Sequence, residues 1–312
     1  MKVAGFIKFI LGVSLIGILV SQLDFSLVFT TLSESMVSYL YLVVVFYLLA
    51  TFFEVLRVYV LLKDFFSFFQ VAAVVFIGVF FNNFLPSSAG GDFYKIYSLK
   101  KAKVAIEKGV VLVLFDRLMG VLVLVVFGVL YSLINTKIFS GFVNKVEGFT
   151  PGISLEYFLI AAGVILLCTY FLRGAIKGYY NKVSSKIEQA IIFLKSFPPE
   201  RYVIQFSLAA CFHLARLFAI YYLVLSLNGY IVWHNIIFLL TIVTLISALP
   251  ISFGGLGVRE GLLAGGLMVF GVEANVAISV ALINLSYLWL KALTGAFCLL
   301  GVKISAENRK FI

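Results

Sequence analysis

The chain has 312 residues, 63% of them hydrophobic and only 12% charged, against roughly half and a quarter in soluble proteins. So much apolar surface cannot be hidden in a soluble core, and much of it must face lipid. The net charge of +10 does not mark a nucleic-acid binder, because Lys and Arg crowd short segments between apolar runs instead of covering one solvated face.

Val3 to Gln22 opens the chain as an apolar run behind Lys2. No A-x-A cleavage pattern follows, so it reads as a membrane span and not as a signal peptide. Tyr39 to Leu62 is a second span, near the roughly 20 apolar residues that a bilayer core requires. Phe65 to Leu85 begins as a third but runs into Pro86, Gly90 and Gly91, which interrupt a helix. Gly109 to Ile134 and Leu155 to Leu172 are again full spans. From Gly174 to Phe197 the pattern changes: Ile176, Tyr180, Val183, Ile187, Ile191 and Leu194 recur at spacings of three and four, with Lys177, Lys182, Lys186 and Lys195 elsewhere. That predicts an amphipathic helix over 174–197, either resting on the cytoplasmic interface, where anionic lipid attracts it, or crossing solvent as a connector. Tyr202 to Leu227 is a span. Asn235 to Leu249 runs into Pro250, Gly254, Gly255 and Gly257, and Val276 to Val302 is the last span. Cys168, Cys211 and Cys298 stand singly in apolar runs, without zinc-site or disulfide spacing, and read as packing residues.

Orientation follows from the bias of Lys and Arg toward cytoplasmic loops. They crowd Lys95, Lys100, Lys101, Lys103 and Lys108, then Arg173 to Arg201, then Lys303, Arg309 and Lys310, whereas Ser21 to Ser38 and Ser226 to Asn235 have none. The first three groups and both termini belong inside. The interrupted stretch over 65–91 then starts and ends on the inner face, and the one over 235–271 on the outer face. Both are expected to be re-entrant hairpins. Leu85-Pro86-Ser87-Ser88-Ala89-Gly90-Gly91 also aligns with Leu249-Pro250-Ile251-Ser252-Phe253-Gly254-Gly255 as L-P-x-S-x-G-G. The expected fold is therefore all-α: a polytopic helical membrane protein, a single domain over 1–312, with about six full spans and two re-entrant hairpins in an inverted repeat. Broken helices in inverted repeats line the substrate site of secondary transporters.

Ionisable residues inside spans are costly and default to functional candidates. Lys291 and Arg216 lie too deep to snorkel easily. Arg57 lies near the inner end of its helix and either snorkels or pairs with Glu54 one turn earlier. Asp116 and Arg117 are adjacent and must point in different directions, as a salt bridge to another helix or as part of a site. Each bend is followed by an acid and a base, Asp92 and Lys95 in the first and Arg259 and Glu260 in the second. Glycines such as Gly255 let backbone amides approach an anion, and a half-helix N-terminus adds positive dipole, an arrangement suited to phosphate. Ser252 lies on the same bend. Asn82, Asn83 and Asn284 either bond a head group or join helices. His213 either relays protons or bonds a neighbour, and His234 beside Trp233 belongs to the interfacial belt.

The residues Asn83 to Lys95, Asp116-Arg117, and Leu249 to Glu260 with its L-P-x-S-x-G-G-x-G-x-R-E string resemble the lysylphosphatidylglycerol synthase transmembrane, or flippase-like, family over nearly the whole chain. The matching positions are Gly91-Asp92 with Lys95, the pair Asp116-Arg117, and Gly257 to Glu260. Asp92 stands where glutamate is commoner. The resemblance implies a role like that of the membrane half of the multiple peptide resistance factor, associated with flipping aminoacylated phosphatidylglycerol. The chain ends at Ile312 directly after its last span, so the aminoacyl-transfer domain is expected to be absent and the lysyl lipid does not carry over.

The leading expectation is a secondary flippase for a phosphate-bearing lipid, either a phospholipid or a polyprenyl-phosphate-linked carrier. No G-x-x-x-x-G-K-[ST] loop calls for ATP, and one charge crossing the membrane potential exchanges about 2.3 kcal/mol per 100 mV. The expected site is Asn83, Asp92, Lys95, Asp116, Arg117, Arg216, Ser252, Gly255, Arg259, Glu260 and Lys291, with ion coupling at Glu54, Arg57, Asp116 or Glu260. No catalysis, cofactor or metal is expected. The expected partners are anionic lipids of the inner cell membrane, with a homo-oligomer also compatible. The competing readings are a membrane enzyme acting on lipid-linked phosphate or sugar, and a non-catalytic subunit of a cell-envelope assembly.

Overall fold

The computed structural model describes residues 37–84, 90–134, 196–247 and 255–301, with Ser14, Gly17, Ser21, Ile192, Phe193 and Ser252 besides. The expected spans at Val3 to Gln22 and Leu155 to Leu172, most of the helix over 174–197, and residues 85–89 of the first bend lie outside the described residues. By its contacts the chain divides into one unit of residues 1–131 and 199–312 and a second of residues 132–198. The helices treated below belong to the first, apart from the last residues of α4.

Eight helices and no strand occur among the described residues: α1 (Val37–Leu62), α2 (Phe68–Phe84), α3 (Gly90–Lys101), α4 (Ile106–Ile134), α5 (Pro199–Ser226), α6 (Trp233–Ser247), α7 (Val258–Val269) and α8 (Ala274–Gly301). Four of them, α1, α4, α5 and α8, are long and apolar enough to cross a bilayer. Their 26 to 29 residues extend about 39–44 Å at 1.5 Å per residue. α5 starts at Pro199, whose missing N–H costs nothing at the first helical position, with Glu200 beside the positive end of the dipole. It stops at Asn228, whose φ of 58° turns the chain so that Gly229 N–H reaches the Val224 carbonyl at 3.0 Å.

The other four helices have 17, 12, 15 and 12 residues, about 18–26 Å each, and none alone spans a core of about 30 Å. They come as two pairs, α2 packed on α3 and α6 packed on α7, each broken where the sequence expects a bend. The pairs differ in one respect. The returning arm of the first, α3, begins where the expected hairpin ends and carries Asp92, Lys95, Lys100 and Lys101, while α7 is mostly apolar.

Contacts at the helix ends order the bundle. Arg201 at the start of α5 pairs with Asp64 after α1 at 3.2 Å, and Phe115 of α4 packs edge-on against Tyr202. At the opposite end, Tyr131 of α4 donates to Asn235 Oδ1 of α6 at 2.7 Å. A Cβ on Gly229, after α5, would meet Val276 of α8 at 2.9 Å. The apolar core joins α1, α5, α6, α7 and α8 through residues such as Val43, Leu223, Leu239, Leu263 and Ile278. Glycines set the closest backbone approaches: a Cβ on Gly295 of α8 would lie 2.1 Å from the Phe76 carbonyl of α2, and one on Gly91 2.5 Å from the Gly78 carbonyl. The outward faces carry large exposed apolar side chains, Phe69, Leu118, Phe297 and Leu300 among them, as a lipid solvent requires.

Candidate functional site

α1 and α8 face each other through two polar stripes. Tyr47, Thr51 and Glu54 lie four and three residues apart on α1, and Asn284, Tyr287 and Lys291 three and four apart on α8, so each set occupies one helix face. The stripes pair rung by rung. Tyr47 donates to Asn284 Oδ1 at 3.1 Å, the Thr51 and Tyr287 hydroxyls share a 2.7 Å hydrogen bond, and Lys291 Nζ meets Glu54 Oε2 at 2.5 Å. Lys291 also lies 5.5 Å above the Tyr287 ring.

A second set of ion pairs ties α3 and α1 to α4. Asp116 is buried between two cations: Arg57 Nη2 hydrogen-bonds its Oδ2 at 3.2 Å, and Lys95 Nζ lies 3.5 Å from the same oxygen. Arg57 Nε faces Oδ1 at 2.9 Å but off the hydrogen-bond axis, so that contact is ionic. The next residue, Arg117, points elsewhere and pairs with Asp92. Asp92 and Lys95, one turn apart on α3, thus engage both members of the adjacent pair on α4. Glu54 and Arg57 each make their direct head-group contact with a partner on a different helix, Lys291 and Asp116, while remaining within electrostatic range of one another.

At the second bend, Gly255 and Gly257 have φ of 81° and 78°, a region that side chains with a Cβ rarely adopt. The turn they make directs the start of α7 so that Glu260 folds back on it. Its carboxylate is 0% exposed. Oε2 accepts from Gly257 N–H at 2.7 Å and Oε1 from Arg259 Nε at 2.8 Å, whereas Arg259 Nη2, 2.7 Å from Oε1, is off the hydrogen-bond axis and its contact is ionic. Ser247 and Ser252, which flank the bend, have buried hydroxyl oxygens without a hydrogen-bond partner.

A profile of the lysylphosphatidylglycerol synthase TM region matches residues 5–295. The chain belongs to this family. It is also 25% identical over 271 residues, 79% of each chain, to the UPF0104 membrane protein PH1989 of Pyrococcus horikoshii. Within the family pattern, the separate matching motifs prove to be partners of one another. Asp92 and Lys95 hold Arg117 and Asp116, and the Gly-rich segment closes on its own Glu260.

Arg216 of α5 connects the two halves of the site. It lies within electrostatic range of Arg259, Glu54, Tyr47 and Tyr287, and Glu54 is likewise in range of Lys95 and Arg57. Arg259 after the second bend and Lys95 after the first are thus linked through Arg216 and Glu54 by overlapping electrostatic ranges. Among the described residues no carboxylate pairs with Arg216, whose guanidinium lies 5.7 Å from the Phe212 ring. Among the described residues these linked groups comprise six cations, Arg57, Lys95, Arg117, Arg216, Arg259 and Lys291, against four carboxylates, Glu54, Asp92, Asp116 and Glu260.

The asparagines join helices. Asn82 accepts from Gly91 N–H at 2.7 Å, Asn83 donates to the Leu288 carbonyl at 3.5 Å, and Asn284 holds Tyr47. His213, 6% exposed, has neither ring nitrogen hydrogen-bonded and adjoins Gly120, against which Arg57 also packs. Sequence reasoning passed over Tyr47, Thr51, Tyr287 and Ser247. The first three were visible as polar residues in register with Glu54 and Lys291, whereas Ser247 carried no signal apart from its nearness to Pro250.

Proposed function

We propose that the protein is a secondary transporter that moves a phosphate-bearing lipid between leaflets, its head group crossing through the cluster around Arg216 while its chains stay in lipid. The observation that carries this reading is the electrostatic imbalance: Arg216 lies within electrostatic range of a second guanidinium, Arg259, without an ion-pair carboxylate among the described residues, and the described charged groups around it have two positive charges in excess. Unbalanced cations inside an apolar bundle are costly, and an anionic head group would complete them. The order of helix ends supports two hairpins from opposite faces. α2 starts beside Asp64 and α3 leads into α4 near Tyr202, at one end; α6 starts near Tyr131 and α8 near Gly229, at the other. With the basic segments inside, the protein is a multi-pass protein of the cell membrane with both termini cytoplasmic, and it acts without catalysis.

The test is reconstitution of the full chain in liposomes containing a trace of fluorescent phosphatidylglycerol, with leaflet access read by chemical quenching. The expected result is accelerated movement of this lipid and less of a zwitterionic one. Equal rates in protein-free liposomes would reject transport, and release of a chemically altered lipid would point to an enzyme.

A further inference from the structure

Glu260 binds its own helix the way an anionic ligand would. Arg259 Nε donates to one of its oxygens at 2.8 Å and the Gly257 backbone amide to the other at 2.7 Å, at the start of α7, while Arg259 Nη2 lies in ionic contact 2.7 Å away with its hydrogen-bonding capacity unused. These are donors for an oxyanion, occupied by a carboxylate that is fully buried. We infer that Glu260 is a tethered stand-in for the substrate's phosphate and that its protonation frees these donors, so that one proton crosses with each anionic head group. This rests on the transport reading above.

The argument is one of charge and donor number. A phosphate reaching for Arg259 while Glu260 is ionised would put two anions on one guanidinium, where like charges exclude each other, whatever cations remain elsewhere in the group. Moving the carboxylate away still charged would cost it the Gly257 N–H and set it in competition with the head group for the neighbouring cation, Arg216. A proton on Glu260 resolves both, because the neutral acid no longer competes for Arg259 and itself becomes a donor. A carboxylate also has two oxygens where a phosphate has more. The buried hydroxyls of Ser247 and Ser252, which Glu260 leaves unused, supply further donors on the same bend. The charged groups around the carboxylate suit this exchange. Arg259 is on its own helix, with Arg216 of α5 beyond it. The ionisable residue of α6, His234, is at the far end of that helix. On α8, Lys291 is held by Glu54 and Tyr287 faces Arg216. The proton balance closes: Glu260 takes one proton from water on the side where the lipid enters and returns it to water on the side where the lipid leaves. The pair crosses without net charge, so a proton gradient acid outside draws the anionic lipid inward.

The test uses liposomes with the full chain and fluorescent phosphatidylglycerol under an imposed pH gradient, the membrane potential clamped at zero. One proton per lipid drives a tenfold accumulation in the less acidic leaflet per pH unit, the ratio set by about 1.4 kcal/mol. A protonophore abolishes it. Glu260→Gln, neutral at every pH, still lets the lipid cross but yields equal leaflets and a rate independent of pH, and Glu260→Asp restores accumulation. Accumulation by Glu260→Gln equal to that of the unaltered protein overturns the inference, as does an unaltered protein that moves the lipid without regard to the gradient. If the unaltered protein moves no anionic lipid, the transport reading falls instead. Should both variants fail to fold, short-chain phosphatidylglycerol added to the unaltered protein in weakly buffered detergent decides: uptake of one proton per lipid bound supports the exchange, and none overturns it.

Discussion

Lys291 and Arg216 are both cations deep within apolar helices, yet their surroundings make them opposite kinds of probe. Lys291 neutralises Glu54 at 2.5 Å, so Lys291→Ala leaves a largely buried acid unpaired and should cost about 3 kcal/mol, seen as a lower melting temperature in detergent. Arg216 has no such partner among the described residues. Arg216→Ala gives up its contact with Phe212, about 1 kcal/mol, but also relieves an unbalanced buried cation, so its melting temperature should stay close to that of the unaltered protein while anionic lipid movement slows at least tenfold in the liposome assay. Slowing in Lys291→Ala alone, with Arg216→Ala unimpaired, would remove Arg216 from the site. Arg259 is a less clean probe than its sequence position implies, because removing it leaves Glu260 fully buried and held only by Gly257 N–H. The pair Asp92–Arg117 can be tested separately, since Arg117 is 42% exposed and its bridge is worth under about 1 kcal/mol. Exchanging the two charges, Asp92→Arg with Arg117→Asp, should restore whatever stability and transport either single change removes. If the double variant is no better than the singles, each residue acts beyond its pairing.

Element boundaries were legible where hydrophobicity alone decides them, and less so where a polar helix continues a broken one. The four long helices match the expected spans within a few residues at most ends, because a lipid-crossing helix needs an apolar run of fixed length. α3 was foreseen only as the end of a hairpin and a basic segment, whereas its charges Asp92 and Lys95 bind α4. The polar rungs between α1 and α8 were half legible. Glu54 and Lys291 stood out as charges, but pairing across more than two hundred residues leaves no mark in either stretch. Close helix approach is hidden for the same reason, since a glycine in an apolar run looks alike whether it faces lipid or a backbone. A Cβ on Gly295 would press on the Phe76 carbonyl at 2.1 Å, while Gly261 and Gly265 have nothing within 4 Å. Gly295→Ala should thus separate α8 from α2 and destabilise the protein by about 2 kcal/mol or more. Gly265→Ala, in α7, should be neutral or slightly stabilising. Equal melting temperatures for the two variants would mean that α2 and α8 do not pack as described.

At the scale of the whole molecule, the basic segments and the helix-end contacts make independent statements about which helix ends lie together, and they agree. The contacts group Asp64, Arg201 and Tyr202 at one end of the bundle and Tyr131, Asn235, Gly229 and Val276 at the other. The first end is also the one with Lys63, Lys100, Lys101, Lys103 and Lys108, and the loop at Asn228 to Val232 at the second has no Lys or Arg. Only the charge bias says which end is cytoplasmic; only the contacts say that α6 and α8 start together, which the inverted arrangement of hairpins needs. In a variant with Cys168, Cys211 and Cys298 replaced, single cysteines at Lys100 and at Asn228, both exposed, report the two ends. An impermeant maleimide added to intact cells should label the Asn228 position and spare the Lys100 position until the membrane is opened. Labelling of both from outside would break the grouping of helix ends and the paired hairpins with it. Labelling of the Lys100 position alone would keep the bundle but turn it over, so that the α6–α7 hairpin entered from the cytoplasmic face and a proton gradient acid outside no longer met it first.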